Sequence, residues 1–311
     1  MGLREFVATF GWQEATVAVV DREAERPVYR LLVDLFDTDA VAVRDVEADS
    51  GPHPTNTTVL RKADTHDDIA VSSLDAVRDE LFLVNSDIYV TGARDLCDVD
   101  LPEVVAGLDG VPFRVSDRAR QPKGKLVLIE MSRAIEAMAW RDGTGRLDAG
   151  FQHLSRIADE RGTERVDIRL GVDTDVETCV YGVPGDHQSL PSVAVRTADT
   201  RELRRSWFVV YRSGSHPGDG AALVAHRTED AVWEGCWTYD RDSVAAVLDY
   251  LDTTYARPTA QRAPGPSDDR PHRTGRVGPD TGRPRPSDLS GTFPYGQVWD
   301  RRTTYWDSTP T

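Results

Sequence analysis

Arg133, Glu136 and Trp140 recur at spacings of three and four within the stretch LVLIEMSRAIEAMAWRD. On a helix that spacing sets a guanidinium, a carboxylate and an indole along one face. Such a face could hold a small molecule with a charged end and a flat apolar body. Two readings are open: a structural ion pair worth a few tenths of a kcal/mol at the surface, or the wall of a ligand cavity. A second group of candidates is aromatic: Phe151, Trp207, Trp233 and Trp237. On a strand through VWEGCWTY, Trp233, Gly235, Trp237 and Tyr239 share a face. A glycine between two tryptophans leaves a notch that another backbone or a flat ligand could enter. A packed aromatic core is the other use of the same residues.

No catalytic residue is assigned. His153 and His226 have no nucleophile or carboxylate at a recognisable spacing, so an enzyme would need one of them to meet Glu136 or Asp148 in a cleft. GTGRLDAGF lacks the spacing and the preceding strand of a dinucleotide fingerprint, and RARQPKGK (118–125) lacks the GxxxxGK[ST] of a phosphate loop. Cys97, Cys179 and Cys236 are isolated, which points to buried thiols rather than a disulfide framework or a zinc site. No metal ligand set is expected, and no cofactor is identified.

The helix carrying the first group has a second face. Leu128, Met131, Ile135 and Met138 form an apolar stripe, and Gly143 and Gly145 stop it before an extended return through Leu154. Upstream, Ala15–Val20, Ala40–Val46 and Thr57–Leu60 read as strands, Pro27–Phe36 as a helix, and Ser73 as the cap of a helix carrying Leu74, Val77, Leu81 and Phe82. A short helix is expected at Leu101–Leu108. Downstream, a helix is predicted from Ile157 to a stop at Gly171, then strands at Val176–Tyr181 and Val193–Val195. Ser206–Tyr211, Ala221–His226 and Val232–Tyr239 read as antiparallel neighbours. The first is apolar on both faces and should be central in its sheet. Asp240 caps a last amphipathic helix ending near Tyr255.

The fold expected is α/β (α+β). An N-terminal α/β module (1–117) precedes a mixed or antiparallel sheet flanked by helices (118–256), and a disordered Pro/Gly/Arg-rich tail follows (257–311). Nine of the 18 prolines fall in that tail, with nine Arg against six Asp for a net of +3, so the remainder carries −18. Its end, FPYGQVWDRRTTYWD, is aromatic enough to be a docking peptide, with a passive tail as the alternative.

The net charge is −15, from 37 Asp and 15 Glu against 34 Arg and 3 Lys. Excess Asp with almost no Lys suits concentrated salt, where the Debye length falls to about 3 Å and self-repulsion is screened. A halophilic, archaeal-type cytoplasm is the expected setting. The acidity disfavours nucleic acid as a partner, and no apolar run is long enough to span a membrane.

SRAIEAMAWRDGTGRLDAGFQHLSRI resembles the signature of the DICT sensory domain, in which a Ser-Arg-x-Ile-Glu helix leads to a glycine turn and Gly-Phe-Gln-x-Leu-Ser. VETCVYGVP, ELRRSWFVVY and VWEGCWTYDRDSVAAVLDYL follow in the same order, and the resemblance covers residues 1–255. It implies a non-catalytic sensory role in signal transduction, with a small-molecule or light-related signal passed to a separate signalling or transcriptional partner protein. The family's ligand is not implied. A transcription-regulator accessory protein acting through the tail, and an enzyme with a non-contiguous site, are the alternatives.

Overall fold

The computed structural model describes residues 2–9, 14–20, 26–36, 41–47, 52–82, 96, 99, 101–116, 123–154, 161–185, 190–228 and 232–255. In chain order the elements are α1 (Leu3–Thr9), β1 (Ala15–Val20), α2 (Arg26–Phe36), β2 (Val41–Val46), β3 (Thr57–Lys62), β4 (Asp68–Ser73), α3 (Leu74–Phe82), α4 (Glu103–Ala106) and β5 (Phe113–Ser116). There follow α5 (Lys123–Asp142), β6 (Thr144–His153), α6 (Arg161–Asp173), β7 (Asp175–Val183), β8 (Val193–Thr197), α7 (Arg201–Arg205), β9 (Ser206–Ser213), β10 (Gly220–Arg227), β11 (Val232–Thr238) and α8 (Arg241–Thr254). All lie in one unit, residues 1–260. The readings of the tail and of Cys97 lie outside the described residues.

The strands form two mixed sheets flanked by helices, as the α/β reading requires. The smaller runs β2-β1-β3-β4, with β1 parallel to β2 and antiparallel to β3. The larger runs β5-β11-β10-β9-β6-β7-β8, so the doubly apolar β9 is its middle strand. Alternation along β9 explains its composition. Val209 and Tyr211 face the α5 side and join the core that includes Met131, Ile135 and Trp237. Phe208 and Val210 face the other way, into a core with Leu3 and Phe6 of α1 and Val244, Val247, Leu248 and Leu251 of α8. The α5-side core also takes in Val17, Leu32 and Phe36, and the Phe36 and Trp237 rings meet edge to face at 5.9 Å.

Local signals place the central turn. Gly143 and Gly145 sit at φ +71° and +107°, the left-handed region that L side chains avoid, and α5 ends there. A Cβ on Gly145 would also lie 2.3 Å from the Arg212 carbonyl oxygen. Ser73 and Asp240 cap as expected, accepting from the Ala76 and Ser243 amides at 3.0 and 2.8 Å. Gly171 is a correction: α6 continues through it to Asp173. A Cβ there would be 2.7 Å from the Ser192 carbonyl oxygen, so this glycine serves a close approach rather than a stop.

Candidate functional site

The β6–β9 ladder runs antiparallel as far as Gly150 opposite Phe208. Beyond that point β6 shifts register against β7, between Gly150 and His153. There the Gln152 side-chain amide, not the ladder, holds the Ser206 carbonyl at 2.9 Å. A cleft opens where the strands part, beneath α5. It is lined by Ile129, Ser132, Arg133 and Glu136 of α5, Gly150 and Phe151 of β6, and Trp207, Phe208 and Val209 of β9. Its free volume is about 20 Å³, room for roughly one water molecule.

The polar floor of the cleft is the Arg133–Glu136 pair, joined through Nη1 and Oε2. The side chains are 5% and 3% exposed, so the pair is buried, and its reading as a surface ion pair is corrected. Burial raises the Glu136 carboxyl above its ordinary 4.5, against the lowering by the Arg133 charge. Glu130, also buried on α5, is not a lining residue. At the mouth stand Phe151 and Trp207, both half-buried. The Trp207 indole donates to Ser132 Oγ at 3.0 Å, and that hydroxyl donates to the Leu128 carbonyl at 2.8 Å. Gly150 has no Cβ because the Phe208 ring occupies its place, 2.2 Å away at the nearest atom.

Four of the seven candidates, Arg133, Glu136, Phe151 and Trp207, therefore share one cleft. Trp140 lies on α5 outside it, with the Arg169 guanidinium 4.7 Å above its ring. Trp233 and Trp237 are buried in the core, Trp233 edge-on to Trp207 at 6.1 Å. The expected notch at Gly235 is filled: a Cβ there would sit 2.5 Å from Phe113 Cζ. Ser132, Gly150 and Phe208 are lining residues that sequence reasoning did not single out. Ser132 and Gly150 do stand within the SRAIE and GFQHL segments.

The catalytic alternative finds no assembled pair among the described residues. Glu136 lies on the α5 side of the larger sheet, whereas Asp148 points to the α8 side, where it accepts from Arg146 and Tyr181. Neither His153 nor His226 is hydrogen-bonded to them. Burial, then the nearby Arg205 and Arg4 charges, lowers the His226 pKa. The described residues contain no group of three or more His, Cys, Asp or Glu able to hold a metal. Cys179 and Cys236 are free and buried, and burial pushes the Cys179 thiol up to about 11. None of the described helices is long and apolar enough to cross a membrane.

No family model matches this chain, and no curated protein does. Among solved structures it is similar to a polyphosphate kinase from Porphyromonas gingivalis, with 11% identity and a TM-score of 0.29 over 80% of this chain and 47% of that one. The chain thus spans about half the length of that protein. A likeness this slight carries no argument about activity.

Proposed function

We propose that this chain is a non-catalytic sensory protein that binds a small molecule in the cleft between α5 and β9 and passes the signal to a separate partner. The observation that carries the reading is the buried Arg133–Glu136 pair on the wall of a cleft with a half-buried aromatic mouth. A buried ion pair is seldom more stabilising than apolar side chains of the same volume. Placed beside free volume and flanked by Phe151 and Trp207, it has the make-up of a recognition site: a mainly apolar wall with few convergent polar groups. The resemblance of the Ser132–Glu136 and Gly150–Leu154 segments to the DICT signature supports a sensory reading of the same residues. The helix also offers a route for the signal. From the cleft α5 runs to Asp142, whose carboxylate accepts from the hydroxyls of Tyr211, Ser213 and Ser215 in the β9–β10 hairpin. A shift of α5 would move that hairpin.

Native mass spectrometry of the purified chain, with a thermal-shift screen of nucleotides, flavins, tetrapyrroles and small metabolites in molar KCl, tests the proposal. A bound species, or a raised Tm that Trp207→Ala abolishes, is the expected result. No ligand-dependent shift across the screen would sink it.

A further inference from the structure

We infer that the ligand is a small zwitterion, carrying a carboxylate and an ammonium a few atoms apart as an α-amino acid does; the inference rests on the cleft being the ligand site. Arg133 and Glu136 lie three residues apart on one helix, bonded to each other, and both line the same narrow space. A guest reaching the floor meets both charges together. An anion would be drawn to Arg133 but would bring a second negative charge against Glu136, where the low dielectric makes repulsion costly. A cation would meet the same difficulty at Arg133. An uncharged apolar guest could use the aromatic wall but would gain nothing from the pair.

A zwitterion meets neither obstacle. Its carboxylate can meet the Arg133 guanidinium in a charge-assisted hydrogen bond. Its ammonium can take the Glu136 carboxylate, near the half-buried Phe151 and Trp207 rings whose faces favour a cation. The pair is exchanged for two pairs, and the cleft's charge balance is unchanged.

The dimensions restrict the guest further. With about 20 Å³ free in this form, entry requires the Phe151 or Trp207 ring to swing outward, which their partial exposure permits. A swing of Trp207 would release its bond to Ser132 Oγ and free that oxygen to accept from the guest. The guest is therefore small, with a short side chain.

Calorimetry on the full chain in molar KCl, with glycine, L-alanine, L-valine, L-phenylalanine and trimethylglycine as probes, tests this directly. Glycine, L-alanine, L-valine or trimethylglycine should bind and L-phenylalanine should bind more weakly, and the N-acetyl (anionic) and carboxamide (cationic) analogues of the best amino acid should bind roughly thirtyfold more weakly. The variant Arg133→Met/Glu136→Leu keeps the site filled and neutral and should abolish binding, with its fold checked by circular dichroism. A charged analogue that binds as well as its parent overturns the inference, as does binding that survives in the double variant. If a nucleotide, flavin or tetrapyrrole binds instead and is lost in the double variant, the zwitterion is wrong and the cleft stands. If no compound in either set senses the double variant, the cleft itself is not the ligand site.

Discussion

Arg133–Glu136, buried at both members, and Arg146–Asp148, buried at its carboxylate, are ion pairs on successive elements, α5 and β6, yet they are built in opposite ways. The first faces a cleft and contains a single carboxylate on the cleft floor. The second is the centre of a network on the other side of the sheet. Asp148, fully buried, accepts from Arg146 at 2.5 and 3.0 Å and from the Tyr181 hydroxyl at 2.6 Å. Arg146 also reaches Asp252 at 2.6 and 2.9 Å. Arg196 donates to Tyr181 at 2.8 Å, to Asp252 at 3.1 Å and to the Tyr255 carbonyl at 3.3 Å. The network binds β6, β7 and β8 to the last turn of α8. Its charges have many partners, which is the arrangement of a structural clasp. The cleft pair has an opening beside it, which is the arrangement of a site that can admit a guest.

Removing one member of each cluster should separate them. Asp148→Ala leaves the Tyr181 hydroxyl without its acceptor and Arg146 with Asp252 as its carboxylate partner, and urea melts should show a loss of about 3 kcal/mol or more. Any binding at the cleft should persist in the fraction that folds. Glu136→Ala leaves the Arg133 guanidinium without its carboxylate and should cost about 3 kcal/mol, while Arg133→Met/Glu136→Leu returns to within about 1 kcal/mol of the parent. If the double variant is as unstable as the single one, the cleft pair is a structural element like the other and the contrast fails.

Ser132→Ala has a smaller effect. It removes the acceptor of the Trp207 indole and should cost about 1 kcal/mol. Tryptophan fluorescence should shift to the red as the ring gains exposure. An unchanged spectrum would mean that the mouth of the cleft is set by packing alone.

The smallest effect is in acid, where the clusters should differ in sign. The Arg146 hydrogen bonds hold the Asp252 carboxyl at about 2, below its ordinary 3.8. Its contribution is complete above about pH 4 and is lost as pH falls toward 2. The Asp252 side chain is 45% exposed, so solvent screening limits that contribution to about 1 kcal/mol or less. Glu136 is raised above 4.5, so its contribution is complete below that pH and is lost as pH rises through its folded value. Melting curves of Asp252→Asn and Glu136→Gln against the parent should therefore change in opposite directions over these two windows. The same direction in both would place Glu136 in the structural class.

Local features made much of this molecule legible beforehand. The stripe of Leu128, Met131, Ile135 and Met138 gave α5, and the two glycines gave its end. The two apolar faces of Ser206–Tyr211 gave a central β9. What escaped depends on partners. β4 is mostly exposed, Ile69 and Val71 included, and is a strand because β3 pairs with it. α1 is short and held by Leu3 and Phe6 against the α8-side core, with the Leu3 amide on Glu202 at 2.8 Å. For the site, a three-residue spacing revealed the Arg133–Glu136 pair but not its burial. The contact of Trp207 with Ser132 crosses 75 positions and the Arg146–Asp252 bond 106, beyond any spacing argument.

The sequence by itself determined the helix–glycine–strand turn at Leu126–Leu154, the caps at Ser73 and Asp240, and the chemistry available on the Arg133–Glu136 face of α5, because each depends on dihedral preference and period within a few residues. The tertiary structure decided what that chemistry faces. The β6–β9 ladder ends at Gly150, which opens a cleft over one ion pair, while Phe113 fills the notch at Gly235 and closes the other candidate. The physical reason is burial. The same guanidinium and carboxylate are nearly inconsequential in water and strongly directing in a low-dielectric cleft, and which of the two applies depends on residues distant in the chain.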